Sequence, residues 1–475
     1  MMVNAKIHHV LTGDECGLIK DVSITLTNNE KTQNTVVSRL YDDANEYHVT
    51  SQSRRNALHA ITPLHEASQF AALRSYGKNN GIIELYESSY HRRSGQLEHS
   101  VNQISALPDV FSQSDDSSSS SGLSDVSPLG LSSVMQNRML TACDTSGNLT
   151  VVDIIDSNED NNGVSLRVRD RQCVFNSVNG ASGNGKLSAF VATTIGSSQI
   201  HAACAGRDRE TFLWDVETKA SIWKGKNLPP DPQTLLQQPL WGTSLTFIGS
   251  DTCGKSAEGT VLAVGSAYKE LRIYDVRAQR RPIAFTKEGV LENRVTSLCG
   301  LDNDNTGRYL AVGDSTGDIH NIDLRKMEAI GRFVGPGGSV RQIVRHEQEP
   351  IIACVSLDRM LRIYEIKSRK LLSKVYLKQR LNCCQFAPNP RESNNDTSQD
   401  DEGVWKEGDE YIKDDVKAYV DSSSEDNFES DESRSSIDYS EDISDENDSD
   451  SDVSDESSLD ETVDESPKPK RRREQ

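Results

Sequence analysis

Ile351-Ile-Ala-Cys-Val-Ser-Leu-Asp-Arg-Met-Leu-Arg-Ile-Tyr-Glu365 reads as two β-strands joined by a tight turn. The first half is an unbroken run of small and apolar residues; the second alternates, with Leu361 and Ile363 on one face, and ends in a Tyr-acid pair. A period of two after a turn is the pattern of a strand with one packed face, and Asp358-Arg359 supplies the local side-chain bonding that closes a short hairpin. The stretch has the form of the second and third strands of one blade of a β-propeller, and it decides the fold because the same frame recurs.

With Glu365 as reference, equivalent positions fall at Ser23, Glu87, Asp153, Asp215, Asp275 and Asp323, which makes seven units. The residue before each is Val22, Tyr86, Val152, Trp214, Tyr274, Ile322 or Tyr364, always apolar or aromatic. Six places before the reference, Gly17, Gly81, Gly147 and Gly317 suit the left-handed backbone of a hairpin turn; Asp208 and Asp358 stand one place earlier in two other units. Only the Asp275 unit lacks both signals. The references are 64, 66, 62, 60, 48 and 42 residues apart, the last close to a bare propeller blade and the others long enough to carry insertions. The fold class is therefore all-β, a seven-bladed propeller over residues 1–388.

Composition bounds the rest. Only 35% of the 475 residues are hydrophobic, too few for a chain that is globular throughout. The net charge of −21 is concentrated: residues 401–466 hold 27 acidic against four basic residues, which leaves 1–400 near neutral. No run of eighteen apolar residues and no signal-peptide core occurs, so a soluble intracellular protein is expected. Cys143, Cys204 and Cys354 lie in small-residue strands, no Cys-x-x-Cys occurs among the nine cysteines, and adjacent Cys383 and Cys384 point to opposite faces of a strand. They read as buried free thiols rather than metal ligands.

The first unit starts so near residue 1 that its innermost strand is missing. Arg380-Leu-Asn-Cys-Cys-Gln-Phe-Ala387 resembles the innermost strands at 294–299 and 339–344 and is expected to complete blade one, leaving no free sheet edge. Residues 91–137, with the Ser-rich run 115–122, read as a disordered insertion, and 156–186 as a shorter flexible loop. The Pro- and Trp-containing stretch from Trp223 to Trp241 is expected to pack on the propeller, with Trp241 opening an innermost strand.

From 389 to 466 the chain is a Ser-acid tail with no apolar pattern, expected to be disordered. Ser422 and Ser423, each with an acid three places on, suit an acidophilic kinase, and the apolar pairs Val404-Trp405, Tyr411-Ile412 and Tyr419-Val420 could anchor a partner. Residues 467–473 contain Lys468, Lys470, Arg471, Arg472 and Arg473, the pattern of a nuclear localisation signal.

No catalytic constellation emerges. Gly183-Asn-Gly-Lys186 lacks the upstream Gly and following Ser or Thr of a phosphate loop, Gly335-Pro-Gly-Gly-Ser339 reads as a turn, and His346 stands in a loop beside Glu347. No enzyme activity, cofactor, metal or small-molecule substrate is expected. Cationic residues say more. Every third strand of a propeller exits to one face, so Arg277, Arg280, Arg281, Arg325, Lys326, Lys367, Arg369 and Lys370, just after three consecutive references, form a candidate RNA- or partner-binding rim. Arg332, Arg341, Arg345, Lys378 and Arg380 are expected to add charge nearby.

Over residues 200–388 the chain resembles the Nop-seven-associated WD-repeat family of large ribosomal subunit assembly. The resemblance rests on Gln279-Arg-Arg-Pro-Ile283, Gly338-Ser-Val-Arg341, Leu357-Asp-Arg-Met-Leu-Arg-Ile363 and above all Lys374-Val-Tyr-Leu-Lys-Gln-Arg-Leu-Asn-Cys383. It implies a non-enzymatic seven-bladed scaffold of the nucleus and nucleolus that binds pre-60S particles, meets other assembly factors and pre-rRNA, and is released by an AAA-type ATPase. Two other classes stay open: a chromatin or histone-binding propeller, for which the acidic tail would attract basic tails, and a ubiquitin-transfer adaptor, for which no docking motif is seen outside the blades.

Overall fold

The computed structural model describes residues 6–26, 33–40, 54–64, 69–76, 80–93, 96–111, 127–135, 138–157, 163–174, 186–196, 199–230, 232–248, 260–302 and 307–387. Their strands form seven four-stranded antiparallel sheets. Within each blade the strands run from innermost to outer as a, b, c and d. In blade seven these are Val340–Arg345, Ile351–Ser356, Met360–Glu365 and Leu371–Tyr376. The apolar residue before each reference position is buried in every blade, from Val22 to Tyr364. Among the described residues no helix is long and apolar enough to cross a membrane.

Blade one is assembled from both ends of the domain, as expected. Its a strand is Leu381–Phe386, which pairs antiparallel with Lys6–Asp14. Seven buried apolar clusters follow, one between each neighbouring pair of blades. One holds Val10 and Ile24 of blade one against Val355 and Ile363 of blade seven; another holds Leu11 and Cys383 of blade one against Leu58 and Phe70 of blade two. Cys383 and Cys384 do face opposite ways, one into each of these clusters.

The second residue of every a strand is bulged out of the ladder with strand b: His59, Leu129, Ser188, Thr243, Thr296, Arg341 and Asn382. A bulge re-aims one side chain, and in four blades it reaches the next blade. Ser188 Oγ donates to the Gly242 carbonyl (2.5 Å), Thr243 Oγ1 to that of Val295 (2.5 Å), Thr296 Oγ1 to that of Val340 (2.6 Å) and Asn382 Nδ2 to that of Leu58 (3.0 Å). The blades approach closely at this point. A Cβ on Gly313 would lie 2.8 Å from Val340 Cγ1, and one on Gly265 2.4 Å from Val295 Cγ1, so only glycine fits.

Three expectations are corrected. Residues 96–107 are not part of a disordered insertion: Gln96–Leu107 is strand d of blade two, and Pro128–Val134 is strand a of blade three. Likewise Gly163–Cys173, inside the supposed flexible loop 156–186, is strand d of blade three. Both d strands are polar because they border solvent, so their alternation is weak in apolar residues; the Ser-rich run at 115–122 lies outside the described residues. Gly81 is not a turn residue but lies within strand Asn80–Arg93, where the Phe111 ring would stand 2.8 Å from a Cβ. The left-handed turn positions are Gly17, Gly147, Gly317 and Asp208, together with Lys269 and Arg359, of which Lys269 fills that role in the Asp275 unit.

Truncation before residue 380 removes Leu381 and Phe386, whose burial alone is worth about 3–6 kcal/mol against a typical domain margin of about 5–15. Loss of the cooperative unfolding transition, measured by urea titration of the truncated chain, is the expected outcome. Thr296→Val keeps the shape but strips two carbonyls of their donor, Val340 and Gly313. It should lower stability by about 1–2 kcal/mol in the same titration, whereas Arg341→Ala at the equivalent exposed bulge should change it by less than about 0.5.

Candidate functional site

Strands a begin on one face of the ring and end on the other. The entry face therefore carries the b–c turns and the d–a connections; the exit face carries the a–b loops and the c–d connections. In blade seven, Val340 pairs with Ser356 at the entry end, and Ile351 with Glu365 at the exit end.

The predicted rim residues all lie in c–d connections of blades five, six and seven. A local device sets the position of those in blades five and six. The reference carboxylate accepts from the backbone amide two residues on: Asp275 from Arg277 (2.9 Å) and Asp323 from Arg325 (2.9 Å). Such Asx turns fix the chain and turn the second residue outward. Blade four has the same cap from Asp215, but its outward residue is Glu217, so the basic arc stops there.

Arg277, Arg281, Arg325, Lys326, Lys367 and Lys370 are exposed. Two others are committed to the fold. Arg280, though exposed, donates from Nε to the Lys224 carbonyl (2.6 Å) while its own carbonyl accepts from Lys226 N (2.7 Å), which ties blade five to the outer edge of blade four. Arg369 is half-buried, with its guanidinium over Gly331 of blade six, where a Cβ would meet Nε at 2.7 Å. Arg308 joins the arc unforeseen: its guanidinium lies 4.8 Å from the Tyr309 ring centroid, with Nη2 3.3 Å from Asp323 Oδ2. It precedes strand b rather than following strand c, so a rule based on residues after each reference could not find it.

The secondary cations do not gather there. Arg341 and Arg380 stand at the beginning of a strands, Arg332 near the end of a d strand and Lys378 in a d–a connection, all on the entry face. Only Arg345 is at the exit end, and it is buried, donating to the Asp302 carbonyl. Acidic side chains of Asp302 and Glu347 interrupt the exit face.

The other features offer structure rather than chemistry. His346 accepts from the amides of Gln348 and Glu349 (3.2 and 3.1 Å) and packs edge-on against His8 and Phe386; burial lowers its pKa. Burial pushes the Cys354 and Cys383 thiols up to about 12, far from a nucleophile's range. Asp314, Asp318 and His320 come close together, yet the Asp314 carboxylate is already filled by the amides of Thr316, Gly317 and Asp318. Gly335–Ser339 is the expected turn between strands Glu328–Phe333 and Val340–Arg345. A cavity of about 280 Å³ at the exit end of the central channel is lined by a-strand residues such as Thr246, Leu298, Ile343 and Gln385.

Seven closed blades with charge displayed on the turns define a WD-repeat β-propeller. No family model matches the chain. A WD repeat-containing protein of Dictyostelium discoideum is 28% identical over 43% of this chain and 37% of its own length. WD repeat-containing protein 74 of Homo sapiens is 32% identical over 38% of this chain and 44% of its own length. Ribosome biogenesis protein NSA1 of Saccharomyces cerevisiae is 26% identical over 34% of this chain and 38% of its own length. The chain thus spans less than half the length of these relatives. They bear out the family resemblance read from residues 200–388.

The string Leu357–Ile363 that carries part of that resemblance also builds a part-buried ion pair. Burial alone would raise the Asp358 carboxyl, but Arg362 Nη2 at 2.5 Å, the Ser356 hydroxyl and the amides of Gly337 and Met360 hold it down at about 2. A depressed carboxyl stabilises the fold fully above its unfolded pKa, and that contribution is lost as pH falls through the folded value. Asp358→Asn should therefore be less stable than the parent at neutral pH, with the gap closing between about pH 4 and pH 2 in denaturation curves taken across that range.

Proposed function

We propose that this chain is a non-enzymatic assembly factor of the large ribosomal subunit, a scaffold that binds pre-60S particles during rRNA maturation in the nucleolus. The observation that carries the reading is the arc of exposed cations on three consecutive blades, those of blades five and six set on acid-capped turns, in a chain whose relatives include a protein named for ribosome biogenesis. Phosphate backbones are the natural counterpart of such an arc, because point cations on rigid turns neutralise them without reading sequence. Contact with pre-rRNA runs through Arg277, Arg281, Arg325, Lys326, Lys367 and Lys370, with Arg280 and Arg369 holding the arc in shape. Other assembly factors share the particle, and an AAA-type ATPase releases the chain. Lys468, Lys470, Arg471, Arg472 and Arg473 direct nuclear import, and the acidic segment 389–466 serves as a handle for that release; both lie outside the described residues.

The test is purification of the tagged full-length chain from nuclei, with sequencing of the RNA recovered. Large-subunit precursor rRNA should be recovered with the parent, and Arg277, Arg325, Lys326 and Lys367 changed together to Glu should reduce it at least about tenfold, each lost phosphate contact lowering the salt slope by about 1. Unchanged recovery in the variant would move the contact to protein partners. Histones in place of precursor rRNA would overturn the assembly role.

A further inference from the structure

The entry face holds a second cationic patch, built quite differently from the rim. Trp241 opens blade five, bridged through its backbone to Arg207 of the blade-four turn, while the Asp208 amide donates to the Leu240 carbonyl (2.8 Å). The half-buried Trp241 ring carries two guanidinium groups, that of Arg207 4.9 Å and that of Arg294 4.4 Å from its centroid. Both arginines are exposed residues. Partial burial of its guanidinium lowers the Arg294 pKa and the Arg341 charge lowers it further, which places a third cation near the pair. The acid at hand is Asp208, 3.7 Å from Arg207 Nε.

Beside this cluster the connection from blade four to blade five is a fixed platform. Buried Arg272 donates to Asn227 Oδ1 (2.8 Å) and Gln238 Oε1 (3.2 Å), and Asn227 Nδ2 closes the loop on the Gln238 carbonyl (2.5 Å). At the tip stand Leu235 and Leu236, 77% and 70% exposed, with Leu235 held in the left-handed region at φ 57°. Two adjacent exposed leucines on an anchored loop, one of them in a costly backbone conformation, are a surface built to be covered.

We propose that Arg207, Trp241, Arg294 and the Leu235–Leu236 tip together dock an acidic segment of a partner protein that carries large apolar side chains. The arginines, oriented on the Trp241 ring, take carboxylates, and the leucines take the apolar anchors. A nucleic acid would use the cations but gains nothing from leucines, which provide neither a stacking face nor a hydrogen bond. An interface that combines Trp and Arg with apolar contacts is the composition of a protein-binding hot spot. This surface lies on the face opposite the rim, and its occupancy does not depend on the RNA contact proposed above.

The test selects a displayed library of random linear peptides on the full-length protein and measures the selected peptides by fluorescence anisotropy. Selected sequences should be enriched in Asp and Glu together with Leu or Phe. Arg294→Glu and, separately, Leu235→Ser with Leu236→Ser should each weaken them at least about tenfold, about 1.4 kcal/mol. Rim variants such as Lys367→Glu should bind them as the parent does. Selection without acidic enrichment, or binding indifferent to the leucines, would overturn the proposal. A single-stranded RNA oligonucleotide that competes with the peptides and is lost in Arg294→Glu but not in the leucine variant would assign the patch to nucleic acid instead. Unchanged urea midpoints of the variants show that the fold is intact.

Discussion

The pairing of Leu381–Phe386 with Lys6–Asp14 is the constraint on which the rest of the domain depends. A propeller is a ring of blades that each bury both faces against neighbours, so no blade has a core of its own. Until the last strand is in place, the clusters on either side of blade one are open, and every other interface lies in series with them. The bulged a-strand residues add a directional tie on top of this packing. Each of Ser188, Thr243, Thr296 and Asn382 reaches forward to the carbonyl that opens the next blade, a point where both backbones run too close for water to serve instead.

A second set of ties runs backward. Lys20 pairs with Asp14 of its own blade (3.1 Å) and donates also to the Leu377 carbonyl at the end of blade seven (2.8 Å). Arg74 pairs with Glu84 (2.9 Å) and reaches the Gly17 carbonyl of blade one (2.6 Å). Arg272 pairs with Glu270 (2.7 Å) and holds the connection arriving from blade four. A buried ion pair is weak evidence of net stabilisation, because desolvation offsets most of the attraction. What these pairs supply is register: the charges fit only when the preceding blade presents its carbonyl at the right height. Blade two has the polarity reversed, with the cation on strand b and the acid on strand c, and still grips its predecessor with the cation.

The propeller was legible because burial on both faces leaves a mark in composition: small residues on strand b, then an apolar residue before each reference, which is an acid in every unit but the first. The closing strand was legible for the same reason, since Leu381, Cys383 and Phe386 must face neighbours. The outer strands Gln96–Leu107 and Gly163–Cys173 were not, because an edge strand needs only one modestly apolar face and its polar residues look like those of a loop. The rim was found by counting from the reference, which works for residues after strand c and fails for Arg308, placed beside them by strand pairing. The same counting could not separate the faces: Arg341 and Arg380 are near the rim residues in sequence and at the other end of a strand in space.

That separation is large enough to matter. A strand of six residues at about 3.3 Å each spans roughly 20 Å, more than twice the Debye length of about 8 Å at physiological salt. Charge on the exit face therefore has little effect at the entry face, and each patch is read by what approaches it. The two are also built on different footings. Rim cations such as Arg325, Lys326 and Lys367 sit exposed on short turns, whereas Arg207 and Arg294 are oriented by one ring on a connection anchored from beneath by Arg272. A pre-oriented guanidinium loses less entropy on pairing with a fixed carboxylate, and a mobile lysine loses little by following a disordered phosphate chain. The chemistry of each face thus follows from how its backbone is held: exposed cations on short turns at the rim, ring-oriented ones where the insertion is locked to the blade.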